Sequence, residues 1–508
     1  MDFLIEKFKA SIYDRTKDGS TLMHIAAING HPETAVLLFN KGVPLLMPNK
    51  YGARGIHIAA KEGHVNVIKT LLAKGEQIDA KTSDNKTALH IAVEHGKSSA
   101  VEVRDHIGLK HHYKWRLQVL LGNGADVHIR GGDTEESALH IAARIDEARG
   151  DKCSKILLKS GADPNLQMGN GCSPVHIAAQ SGNLLVLRSL LQHGGDAQKE
   201  DKEGETALHK ACKCCHFAIV KELIQFIHGF IGNTRSFINK VNKKGETAIH
   251  YGAMIGKTAL HFPDEDKMIV KLLMEQGADI GLVTEATKES AIHYVAQSGN
   301  ANLLKEIIEQ TDKGIMQLSV NKQNNMGWSP LLGAASRGHS ECVELLLQCN
   351  ARVDVFDYEG RSALHLAADC GSMEVCQFLL EKNAFVNSKN KLGLTALHFA
   401  AAKGYTELVS FLVTKSGAAI ESLTIKKQTP LHLAAAAGQL DTCQKLIDLD
   451  AMVDWDDDLQ QKPIHLAAQN DHTSVVKLFL QVRPSLVTST VKDGNTLAHL
   501  AAKVGYQN

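Results

Sequence analysis

The run Gln428-Thr-Pro-Leu-His-Leu-Ala-Ala-Ala-Ala-Gly438 contains a short helix from start to stop. Thr429 can cap its N-terminus, Pro430 suits the first helical position, Leu431, Leu433 and Ala434 make an apolar face, and Gly438 supplies the left-handed stop. The same text recurs around His24, His57, His90, His140, His176, His209, His250, His293, His365, His398, His432, His465 and His499, and Leu332 takes the histidine's place in Trp328-Ser-Pro-Leu-Leu332. Fourteen copies are present; six successive intervals are 33 residues and two are 34. A module of that length cannot bury a core alone, so each copy must cover the apolar side of the next.

A period of 33 with a T-x-L-H-x-A signature resembles the ankyrin repeat, and the match runs from about Asp18 to the last residue. The resemblance implies an all-α ankyrin-repeat solenoid of about fourteen units, each a turn, a first helix at the histidine run, a tight turn at Gly, and a second helix such as the one containing Glu344-Leu-Leu-Leu347. The expected units are 18–50, 51–83, 84–132, 134–166, 170–202, 203–243, 244–286, 287–325, 326–358, 359–391, 392–425, 426–458, 459–491 and a truncated 493–508. Residues 1–17, with Phe3, Leu4, Phe8 and Ile12 at near-helical spacing, read as a closing helix or partial repeat. One elongated stack is expected in place of separate globular domains.

Three places break the rhythm. Between Gly96 and Gly124 the chain holds sixteen residues more than a regular unit, and joining Val103 directly to Leu120 restores an ordinary second helix. That marks 104–119 as an insert, either a basic contact loop or, the favoured reading, a segment foreign to the working protein. Additional residues near Phe226 to Lys240, Gly256 to Asp266 and Thr311 to Gln323 suit exposed loops, with Pro263-Asp-Glu-Asp-Lys267 as the example. The last unit has Asn495-Thr-Leu-Ala-His499 without a second helix, which would leave Val475, Val476, Leu478 and Leu480 partly uncovered and suggests a piece of a longer array.

Composition narrows the function classes. Lys plus Arg and Asp plus Glu both number 56, so no net field draws the chain to nucleic acid or anionic lipid. No run of 18 apolar residues is present, so these residues are not expected to insert into a membrane. The ten cysteines are scattered without paired spacing, which fits a reducing compartment. Thirteen of the 26 histidines sit in the signature, about 10 Å apart along the stack, too far for shared metal coordination; each is expected to hydrogen-bond turn backbone and a neighbouring hydroxyl. Cys212-Lys-Cys-Cys-His216 lacks the second pair a zinc site needs, and Gly252-Ala-Met-Ile-Gly256-Lys-Thr258 has three residues where a phosphate loop has four. No catalytic residue, cofactor or metal is therefore assigned.

What remains is surface. Turn tips such as Lys50-Tyr51, Asp201-Lys-Glu203, Asn324-Asn-Met326, Asp357-Tyr-Glu359, Asn390-Lys-Leu392, Lys426-Lys-Gln428 and Asp456-Asp-Asp458 are candidate protein contacts, and Tyr51, Trp328, Tyr358 and Trp455 are the best anchors because aromatic rings dominate interfaces. Beyond the generic repeat, Asp18-Gly-Ser-Thr-Leu-Met-His24, Ala351-Arg-Val-Asp-Val-Phe-Asp-Tyr358, Gln461-Lys-Pro-Ile-His465, Pro484-Ser-Leu-Val487 and Lys492-Asp-Gly-Asn-Thr496 resemble the ankyrin region of no-mechanoreceptor-potential (TRPN) transient receptor potential cation channels. That resemblance implies a force-bearing cytoplasmic tether at the inner face of the plasma membrane, whose partners are microtubules and sister subunits of a homotetramer. A free-standing cytosolic scaffold that binds proteins is the alternative.

Overall fold

The structure, a computed structural model, describes residues 11–95, 112–230, 232–254 and 263–504. The chain divides into two compact units, Met1–Lys243 and Lys244–Asn508. Among the described residues both are all-helical, and extended pairing is limited to isolated bridges such as Phe356 with Ser362.

Among the described residues of the first unit, six first helices run from Leu22–Asn29 to Ala207–Lys213, each packed on the next, and six second helices, from Pro32–Asn40 to Phe217–Phe230, stack behind them. The second unit repeats the plan from Ala248–Met254 to Leu497–Val504. Sequence explains the two roles. First helices bury alanines, as Ala396, Ala400 and Ala401 do in Ala396–Lys403, so adjacent backbones approach closely. Second helices fill the remaining space with larger groups, as Val186, Leu187, Leu190 and Leu191 do in Leu184–Gln192. The all-α solenoid expected from the repeat is thus the fold. Thr429 has extended backbone before Pro430–Ala436, and Gly438 takes φ +73°, where a Cβ would strike the His472 ring of the next repeat.

Extra residues are used differently from what spacing suggests. Residues 112–119 of the expected insert belong to the helix His112–Gly122, which packs on the second helices Val65–Ala73 and Glu147–Lys159. Leu117 and Leu120 are both fully buried there. The described second helix of this repeat is thus built from residues 112–122, and 104–111 of the expected insert lie outside the described residues. Near Phe226 to Lys240 the surplus lengthens one helix to Phe230 and adds another, Thr234–Ile238, whose Phe237 and Ile238 are buried. Thr311 to Gln323 likewise folds partly into Lys313–Ser319, and Pro263 opens the helix Pro263–Glu275, with Ile269, Val270 and Leu273 buried. Apolar residues at helical spacing inside those stretches outweighed their turn-forming neighbours. At the C-terminal end Val475 and Phe479 are buried, Leu478 nearly so, while Val476 and Leu480 line an apolar groove with Leu497 and Ala501.

Candidate interaction surface

The signature histidines are the obvious chemical candidates, and their geometry gives them a structural task. In His398, Nδ1 accepts the Thr395 backbone N–H at 3.0 Å and lies 2.9 Å from the Thr395 hydroxyl. Nε2 lies 3.2 Å from the Gln428 carbonyl of the next repeat. A carbonyl can only accept, so Nε2 carries the proton and the ring is the neutral Nε2–H tautomer. The same arrangement recurs at His24, His140, His176, His365 and His432. Histidine thus replaces Glu or Gln in a capping box and, unlike them, also reaches the following unit. Burial holds His57, His140 and His398 down at a pKa of about 4, against the carbonyl bonds that favour the charged ring. Pro330–Ala335 has no histidine to do this: Leu332 occupies the position, and the Arg361 carbonyl accepts from the Asp357 N–H of its own hairpin.

The cysteine cluster is also absorbed into packing. Cys212 and Cys215 are buried, and His216 sends Nε2 to the Gln180 carbonyl of the preceding repeat at 3.1 Å. Among the described residues no three metal-ligating side chains converge. Gly252 falls inside the helix Ala248–Met254, and Gly256 to Thr258 lie outside the described residues. Burial pushes the thiols of Cys153, Cys172, Cys342, Cys376 and Cys443 up to about 12. Thiolate is the reactive form, so in the folded chain at pH 8 these five are expected to react with Ellman's reagent only as fast as the chain opens. Rapid titration of more than five of the ten thiols would refute this.

The hairpins at Asn49, Asp201, Asn324, Asp357, Asn390 and Asp457 follow one scheme, while Thr82 and Thr424 each accept a single N–H in theirs. An Asn or Asp accepts two backbone N–H groups within its own turn: Asp357 Oδ1 takes those of Glu359 at 3.0 Å and Arg361 at 2.8 Å, and Asn390 takes those of Leu392 and Leu394. Asp201, Asn324, Asp357, Asn390 and Asp457, read from sequence as tip residues, are therefore buried inside the turns. The exposed tip is the next two residues, and each tip is tied to its neighbour. Tyr358 N–H donates to the Met326 carbonyl, Lys391 to Glu359, Ile425 to Leu392 and Asp458 to Lys426, at 3.0 to 3.3 Å.

These bonds make a continuous ridge along the second unit. Its side chains run Asn325, Met326, Tyr358, Glu359, Lys391, Leu392, Ile425, Lys426, Asp458, Leu459. The five large apolar ones are 59, 66, 55, 66 and 52% exposed in that order. Tips in the first unit carry Ser83-Asp84, Gly169-Asn170 and Lys202-Glu203, with Tyr51 the exception. Of the four aromatic candidates, Tyr51 and Tyr358 are exposed at tips. Trp328 and Trp455 are half-buried, Trp328 donating Nε1–H to Asp357 at 3.3 Å. Tyr51 belongs to the first unit and the other three to the second. Ile425 and Leu459 escaped sequence reading because the tips at 426–428 and 456–458 were placed one residue or more away from the true turns; taking the two residues that follow the turn's Asn, Asp or Thr would have found them.

Against known proteins, a family model described as "Ankyrin repeats (3 copies)" matches overlapping stretches including 1–82, 106–201, 261–357 and 431–508. The human protein named transient receptor potential cation channel subfamily A member 1 is 28% identical over 451 residues, 79% of this chain and 38% of that protein. E3 ubiquitin-protein ligase KEG of Arabidopsis thaliana is 26% identical over 42% of the chain and 15% of its own length, and neurogenic locus notch homolog protein 1 of Xenopus laevis is 33% identical over 27% and 5%. The chain thus spans well under half the length of each relative.

Proposed function

Because this chain belongs to the ankyrin-repeat family, we propose that it is a non-catalytic protein-interaction and tether segment on the cytoplasmic side of a transient receptor potential cation channel. One observation carries the reading: similarity to the human subfamily A channel extends over 79% of the chain, whereas the matches to the ligase and the notch homologue cover 42% and 27%. Membership of the TRPN subfamily rests on the residue runs quoted above, and the subfamily A match supports the broader channel class. On this reading the array transmits force between the gate and cytoskeletal or sister-subunit partners. Its build suits that task, since within each unit a helix pair touches its neighbours and a pull is shared among many small interfaces. No helix among the described residues is long and apolar enough to cross a membrane, so the pore belongs to other residues of the proposed protein.

Sequencing the complete transcript tests the proposal. The expected result is about six hydrophobic spans in the same reading frame. A stop near codon 508 without such spans would leave a free-standing scaffold as the reading, and a ligase or kinase signature in the frame would replace both.

A further inference from the structure

From Met326 to Ile425 the tip ridge reads apolar, apolar, acidic, basic, apolar, apolar. Reversed, it keeps the apolar positions and exchanges the two charges. A second copy turned end for end about a two-fold axis between Glu359 and Lys391 therefore sets Met326 against Ile425, Tyr358 against Leu392, and Glu359 against Lys391, each pair occurring twice. We propose that this ridge is a self-association surface, joining two copies of the chain antiparallel in that register.

Three features favour a second copy over other occupants. The first is pitch: repeats about 10 Å apart are met by a polyproline strand at about 9.3 Å per turn or a helix at about 10.5 Å per heptad only with growing drift, whereas another such ridge keeps step at every tip. The second is charge. Moving the axis to lie between Leu392 and Ile425 would oppose Lys391 to Lys426 and Glu359 to Asp458, so like charges reject that register while the proposed one pairs opposites. The third is area. Four apolar tips each more than half exposed, with their flanks, would cover roughly 600–800 Å² per chain, the lower end of what a specific dimer buries, which fits a reversible pair. The ridge carries this pairing whether or not the chain is part of a channel. In a four-fold channel, neighbouring subunits meet through unlike surfaces, so a two-fold contact would join chains from separate assemblies.

Sedimentation velocity on the whole chain, from about 1 to about 300 µM, tests it. A reversible monomer–dimer equilibrium is expected, weakened at least tenfold by Glu359→Lys alone and by Lys391→Glu alone. Both residues are exposed, and Glu359 gives up only its surface pair with Arg361, so the fold is expected to survive. An equimolar mixture of the two variants should recover dimerisation, because each then presents the charge the other lacks; a role confined to one chain gives no such recovery. Tyr358→Asp should abolish pairing without rescue in any mixture. A chain that stays monomeric throughout, reversals that leave the equilibrium unchanged, or a mixture that fails to recover would overturn the proposal. So would a wild-type chain that is monomeric alone but sediments with phosphatidylserine vesicles, which would assign the ridge to a lipid surface.

Discussion

Acidifying the chain from pH 7 to pH 5 should destabilise it by about 2 kcal/mol for each histidine held like His57, His140 and His398. The sign follows from their burial as neutral rings. A folded pKa of about 4 against an ordinary 6.5 means the unfolded chain takes up protons first, so stability is complete above pH 6.5, falls as pH drops through that window, and stops falling from this source below about 4. Several other signature rings, among them His24, His90, His176, His365 and His432, are shifted the same way by burial, so losses accumulate along the array. Urea melts at pH 7.5, 6.5, 6 and 5.5, where most carboxylates stay ionised in both states, isolate the effect. Midpoints independent of pH across that series would show that the rings titrate in the fold as they do in the unfolded chain.

Replacing one such ring should act locally and strongly. His398→Ala removes the bond to Gln428, leaves the Thr395 N–H unanswered and opens a cavity at a fully buried site, a combined cost of about 3 kcal/mol. His398→Gln should recover the part that belongs to the cap, since an amide can accept from Thr395 N–H, without recovering the longer reach to the next unit. Hydrogen exchange read per repeat separates the two: the alanine chain should lose protection in both 392–425 and 426–458, the glutamine chain mainly across their junction. Equal protection loss throughout the chain would mean that the interaction is not a nearest-neighbour one.

The sequence carried the fold in its period, because each unit needs the same cap, small-residue face and stop, and these leave a visible text every 33 residues. It carried the task of the histidines too, since spacing alone forbade shared coordination. It misled where length departed from the period: Leu117 and Leu120 fill a regular second-helix position, yet the residues that precede them hid the register. The ridge was half legible. Met326, Tyr358 and Leu392 follow an Asn or Asp marker, whereas Ile425 follows Thr424 and Leu459 follows a second aspartate, so the turns were misplaced. The alternation of apolar and ionic pairs is written in backbone bonds between residues about 33 apart and needs the stacked structure to be seen.

Leu332 has a consequence of its own. Every other signature position holds an imidazole, so among the described junctions between repeats the one between Pro330–Ala335 and Ala363–Cys370 omits a rung. Local opening should begin there, with amide protons flanking the seam exchanging sooner than those on either side. The second unit then has a fault line, and the blocks it separates can breathe independently while each stays folded.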